Sequence, residues 1–144
     1  MSWSDPETAR AILTGFRVWA VVGCSPNPMR ASHGVSRFLI ARGYDVIPIY
    51  PRRVEIHGLT AAPDLRTAAD GRRSDARIEV VDVFRASHRV RPHVEEAIEI
   101  GAKAVWMQLG VWDPDSAQLA ADAGLLVVMN RCPAIDHPAL VGAR

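Results

Sequence analysis

Val18-Trp19-Ala20-Val21-Val22-Gly23 is an unbroken apolar run that stops at a glycine. A strand with one wet face alternates apolar and polar residues. A run without alternation suits a strand covered on both faces, as in a parallel sheet flanked by helices. The next residues, 24–31, hold two prolines and an asparagine, so the chain leaves this strand in an irregular loop. From about Ser32, Val35, Phe38, Leu39 and Arg42 recur at helical spacing, and Gly43 stands where a left-handed helix cap is expected.

The same unit repeats outward. Residues 44–49 read as a second apolar strand, stopped by Tyr50-Pro51. A third strand is expected over 78–84, a fourth over 104–107 and a fifth over 125–129. Helices are expected over 92–100, closed by Gly101, and from Asp113-Pro114-Asp115 to Gly124. Upstream, Asp5-Pro6-Glu7 gives an acidic cap and a first-turn proline, opening a helix over about 5–16. Residues 52–77 are polar and rich in arginine and alanine; one short helix near 64–69 and an exposed loop over 71–77 are expected there. A Pro-containing tail follows the fifth strand. Strands and helices alternating at this spacing imply right-handed crossovers. The expected fold is α/β and three-layered: a doubly wound, five-stranded parallel sheet of order 3-2-1-4-5. No linker is long enough to divide the chain, so 1–144 is expected to be one domain, an N-terminal helix and a core of about 17–140.

Composition agrees and narrows the function. The chain has 144 residues, enough to bury roughly 70% of its unfolded surface without a disulfide or metal. Its 49% apolar and 23% charged residues are a soluble globular mixture. A net charge of +1 argues against a polybasic nucleic-acid binder. Two cysteines are too few for a disulfide scaffold. No apolar run approaches the roughly 18 residues of a membrane span, and no basic region with an apolar core opens the chain. A cytoplasmic location is therefore expected.

Ligands of open α/β sheets bind beyond the carboxyl ends of the strands, near the point where strand order reverses. The segments after each strand are thus the informative ones. They are Gly23 to Ser32, then Tyr50-Pro51-Arg52-Arg53, Phe84-Arg85, Gln108-Leu109-Gly110, and Asn130-Arg131-Cys132-Pro133. Arginine follows four of the five strands, which asks for a polyanionic ligand held by guanidinium forks and a helix N-terminus. Gly23 permits a sharp turn and close approach of a ligand, though a strand-to-helix loop needs such a glycine anyway. Ser25 and Ser32 offer hydroxyls, and Ser32 could equally cap the helix. The dinucleotide fingerprint Gly-x-Gly-x-x-Gly is missing, and Tyr50-Pro51-Arg52 stands where an acidic residue would hold a ribose diol. That argues against NAD and for a ligand carrying extra phosphate.

Four motifs in order now resemble a family: Gly23-x-Ser25-x-x-Pro28-x-Arg30-x-Ser32, Val81-Asp82-Val83-Phe84-Arg85, Trp106-Met107-Gln108-Leu109-Gly110 and Asn130-Arg131-Cys132-Pro133. They look like the small bacterial CoA-binding proteins, whose Rossmann-like domain is similar to the CoA-binding domain of succinyl-CoA synthetase. The likeness runs from about Phe16 to Leu140. It implies coenzyme A or an acyl-CoA as ligand at the carboxyl edge of the sheet, and no reaction. By the same resemblance Gly23, Ser25, Arg30 and Ser32 would hold the pyrophosphate. Pro51 and Arg52 would border the adenosine, Phe84 and Arg85 would cover the ligand, and Gln108 and Gly110 would line the pantetheine path. Cys24, Arg131 and Cys132 lie inside the same motifs and join the expected ligand-binding set. Ala134 and Asp136 depart from the family, which often has lysine and glutamate there, and Arg72, Arg73 and Arg77 read as a local elaboration.

Cys24 beside a helix N-terminus could carry a stabilised thiolate, or serve as a small packed residue. The five histidines lack metal-ligand spacing, so no metal is expected. Asp82, inside a strand of valines, reads as a hydrogen-bonded structural aspartate more readily than as an active-site carboxylate. Trp106 suits the core, while Trp112 could cover a ligand or lie in a subunit contact, which leaves room for a homodimer. No acid–base pair is set up by spacing, so no catalytic residue is assigned and a binding module is favoured. The alternative is an NAD(P)-dependent oxidoreductase or another nucleotide-using enzyme.

Overall fold

The computed structural model describes residues 3–142. The outermost residues of the expected 1–144 domain lie outside them. Helix α1 spans Pro6–Gly15, strand β1 Val18–Val22, helix α2 Ala31–Ala41 and strand β2 Asp45–Ile49. A two-residue hairpin, β3 (Glu55–Ile56) and β4 (Leu59–Thr60), precedes α3 (Leu65–Asp70). Then come β5 (Val80–Val83), α4 (Val90–Glu99), β6 (Ala104–Met107), α5 (Pro114–Asp122) and β7 (Leu126–Val128). The chain closes with α6 (Pro133–Asp136) running into a π turn, His137–Val141.

The main sheet is parallel throughout and ordered β2-β1-β5-β6-β7. Each residue of β1 faces the core, alternating between two layers. Trp19 and Val21 pack with Ile12, Leu13, Val35 and Leu39 of α1 and α2. Ala20 and Val22 pack on the other side with Leu65, Val94 and Ala117 of α3, α4 and α5. That double burial is why the run carries no alternation.

The three-layer doubly wound architecture is as the sequence predicts. The strand numbering needs one correction. Residues 78–84, expected third and at the outer edge, form β5, which lies against β1. The outer place beside β2 is held by a single parallel bridge, Ile49 to Ala62, in which the Ala62 N–H donates to Pro48 O (3.0 Å) and the Ala62 carbonyl oxygen accepts from Tyr50 N–H (2.9 Å). The bridge stands alone, so the ladder stops after one residue. With Ala62 in third place the 3-2-1-4-5 pattern holds and β7 extends it by one strand.

Local chemistry starts the helices where expected. Asp5 accepts from Glu7 N–H (3.2 Å) and from the Thr8 hydroxyl (2.9 Å), bonds that hold its carboxyl below the usual range. Asp113 accepts from the Ser116 hydroxyl (2.6 Å), and Pro114 occupies the first turn of α5. Helix α2 is the exception. Arg30, not Ser32, stands at its N-cap, with no side-chain cap bond. In the Pro-containing tail Pro133 opens α6, because a proline at the first helical position leaves no needed donor missing. Nor is 71–77 simply exposed: it contains a 3-10 turn, Ser74–Ala76, and Arg72 pairs with Asp45. Among the described residues no helix is long and apolar enough to cross a membrane.

Candidate functional site

Because β5 returns to the far side of β1, the strand order reverses between them, and a cavity of about 470 Å³ opens at their carboxyl ends. Gly23, Ser25, Arg30, Ala31 and Ser32 form one wall, Phe84 and Arg85 a second, and Gln108, Leu109, Val111 and Cys132 a third, with Tyr50 at the side. Two arginines line it and, among the described residues, no carboxylate does.

The first wall is a folded-back loop. The N–H groups of Gly23 and Cys24 both donate to Ile49 O (3.0 and 3.1 Å), which ties the loop to β2. Ser25 N–H donates to Ser32 Oγ (3.0 Å), so Ser32 organises the loop from inside α2. Asn27 N–H donates to Ser25 Oγ and Met29 N–H to Asn27 Oδ1, both at 3.0 Å. These bonds set a row of backbone at the start of α2, where an anion is favoured. Arg52 points its Nη2 at the Tyr50 hydroxyl (3.4 Å) and lies over that ring, and this contact draws the phenol below its usual range, with Ser25 and Arg30 adding. Arg85 has a buried Nε without a hydrogen-bond partner.

Of the expected ligand-binding set, Gly23, Ser25, Arg30, Ser32, Phe84, Arg85, Gln108 and Cys132 meet around this cavity. Pro51, Arg52 and Gly110 stand outside its lining, Arg52 reaching it through Tyr50. Two members are corrected. Cys24 is wholly buried, and burial pushes its thiol up to about 11, so no stabilised thiolate stands at the helix start; it packs as a small apolar residue. Arg131 forms a bidentate pair with Asp136 (2.6 and 2.9 Å), and its Nη1 donates to Ser4 O (2.8 Å), so its guanidinium is spent on holding the tail. Trp106 is core, its indole N–H donating to Arg131 O (2.9 Å). Trp112 is half-exposed.

Sequence reading missed Tyr50, Leu109 and Val111 as lining residues, though all lie in segments that follow strands. It also missed the part played by Asn130. That residue has φ +59°, and its Oδ1 accepts from Gly110 N–H (2.8 Å), joining the loops after β6 and β7. Its left-handed backbone is one that asparagine tolerates better than most residues. No group of three or more metal-ligating side chains occurs among the described residues.

The family model described as a CoA binding domain matches residues 17–138. YneT of Bacillus subtilis, an uncharacterised protein, is 34% identical over 128 residues, covering 89% of this chain and 90% of YneT. The crystal structure of Prb, the PH1109 protein redesigned for binding, superposes with a TM-score of 0.88 at 36% identity, over 100% of this chain and 97% of that one. A hypothetical protein from Pyrococcus horikoshii OT3 gives 0.85 at 37% identity, over 96% and 93%.

Proposed function

This chain belongs to the CoA-binding domain family, and from that premise we propose that it binds coenzyme A or an acyl-CoA at the carboxyl edge of its sheet without turning it over. The observation that carries the reading is the lining of the cavity: Arg30 and Arg85, the Ser25 and Ser32 loop, and no carboxylate. Such a wall attracts phosphate oxygens and repels no part of a polyphosphate. Gly23, Ser25, Arg30 and Ser32 would take the pyrophosphate. Arg52, beside Tyr50, would meet the adenosine end, with Pro51 bordering it. Phe84 and Arg85 would cover the ligand, while Gln108, with Gly110 at the edge and Cys132 below, would flank the pantetheine arm.

Binding without turnover is supported by what the cavity wall offers. No histidine stands among its lining residues, and the carboxyl nearest to Gln108, that of Asp82, is wholly buried. Tyr50 at its side and Cys132 in its third wall are the titratable groups besides arginine that line it, and no hydrogen bond among the described residues joins the two as an acid–base pair.

Calorimetry with CoA, acetyl-CoA, dephospho-CoA, NAD, NADP and ATP tests the reading. CoA or its thioester should bind most tightly. Binding of the nicotinamide cofactors alone would replace this reading with the oxidoreductase one.

A further inference from the structure

Asp82 is the residue at which β5 breaks its own pattern. It stands in register between Val21 of β1 and Trp106 of β6, both fully buried. Its carboxyl is wholly buried, and burial alone pushes it well above the ordinary carboxylate range. No ion pair reaches it among the described residues. An acid in such a place is costly unless a donor meets it. The donor is Gln108, two residues past Trp106 and so on the same face of the sheet. With its amide turned so that the nitrogen faces Asp82, Gln108 donates from Nε2 to Oδ1 at 2.8 Å, an oxygen that accepts in the neutral acid as well as in the carboxylate, and reaches Oδ2 at 3.2 Å. Gln108 is itself only 4% exposed, and what it exposes lines the cavity.

An amide held by its nitrogen presents its oxygen. We propose that Asp82 is a positioning residue that fixes the Gln108 amide with Oε1 toward the cavity, as a fixed acceptor for a ligand N–H. The ligand part of this inference rests on the CoA reading, in which the donor is an amide N–H of the pantetheine arm. It adds specificity that the arginines lack. They recognise phosphate, which many nucleotides carry, whereas a buried acceptor discriminates against ligands with no donor at that place.

Two measurements test it. The first needs no ligand. The chain has two glutamines, Gln108 and Gln118, and Gln118 is exposed. In amide exchange followed by nuclear magnetic resonance, the Gln108 side-chain protons should exchange far more slowly than those of Gln118. Asp82→Val, which suits a strand of valines, should release them. Rapid exchange of both glutamines in the unaltered protein would overturn the pairing. The second compares CoA with adenosine 3′,5′-bisphosphate, which lacks the pantetheine arm. Asp82→Val and Gln108→Leu should each weaken CoA about tenfold, the double variant should be no weaker than either, and the bisphosphate should bind all three alike. Additive losses, or equal losses for both ligands, would overturn the positioning role. Should the unaltered protein bind no CoA, the CoA reading and its amide donor fall together, while the exchange result still decides the Asp82–Gln108 pair.

Discussion

Gly23 passes so close to the end of β5 that a Cβ built on it would stand 2.4 Å from the carbonyl oxygen of Phe84. The obstacle is backbone, which a rotamer change cannot move. The residue also has φ +77°, where any side chain is strained. The approach is what lets the loop after β1 and the Phe84-Arg85 segment close on one cavity. Gly23→Ala should therefore cost about 2 kcal/mol or more and move the loop. A urea midpoint within error of the parent would show that the two segments separate without penalty.

Arg30 separates binding from folding. Its side chain is exposed at the start of α2, and the bond from its N–H to Asn27 O (3.0 Å) survives truncation. A charged hydrogen bond to phosphate is worth roughly 1.5–3 kcal/mol. Arg30→Ala should weaken CoA at least tenfold, since about 1.4 kcal/mol is one decade, and leave the melting temperature nearly unchanged. The opposite pattern, unaltered affinity with a large fall in melting temperature, would make Arg30 structural.

Arg131 should give that opposite pattern. It is 19% exposed and its partner Asp136 9%, so truncation strands a carboxylate in a largely dry place. Arg131→Ala should cost about 3 kcal/mol and leave the CoA affinity of the folded protein unchanged. A selective loss of affinity at constant stability would return Arg131 to the ligand.

The contrast between these two arginines shows where sequence reading stops. Helix starts at Asp5, Asp64 and Asp113 were legible because a cap and its N–H partner lie within three residues. The loop after β1 was less so: its Ser25 N–H reaches Ser32, seven residues on, and its Gly23 and Cys24 N–H groups reach Ile49 of β2. The assignment of Arg131 was not legible, because Asp136, five residues on, comes within its reach only through the turn of α6, and its carbonyl partner Ser4 is 127 residues away. Strand order depended on Ala62, one bridging residue without any apolar run to announce it. Asp82 could be marked as a polar interruption in a strand, but its partner Gln108 lies just past the end of a different strand and emerges only from the register of β5 against β6.

Asp82 also makes a pH prediction with a definite sign. Its native carboxyl is raised above its unfolded value of about 3.9. Well below about pH 4 both states keep the proton, and burial of the neutral acid carries no charge penalty. As pH rises, the unfolded chain releases a proton that the native state retains, so stability falls until the native value is passed. Asp82→Asn removes that slope. The melting temperature of the variant minus that of the parent should be smallest in acid and should grow toward neutrality. Asp5 and Asp64, whose carboxyls are lowered, pull the other way in both proteins and cancel in the difference. A flat difference would mean that Asp82 ionises in place at no cost.

The last prediction concerns the 3′-phosphate, the sole difference between CoA and dephospho-CoA. Arg52 follows β2, where a doubly wound sheet meets the ribose, and its guanidinium lies 5.7 Å over the Tyr50 ring at the side of the cavity. Arg53 is the next residue and also exposed. An exposed arginine–phosphate contact is worth up to about 1 kcal/mol, so CoA should bind roughly fivefold more tightly than dephospho-CoA. The gap should narrow in Arg52→Ala/Arg53→Ala. It should also narrow as ionic strength rises, because screening acts on exposed charges and spares buried ones. Both ligands should keep their shared affinity for the loop at Arg30, so the double variant should bind dephospho-CoA as the parent does. Equal affinities for the two ligands at low salt would remove Arg52 and Arg53 from the site. The pyrophosphate wall would stand regardless, since it is built from the loop after β1 and not from the end of β2.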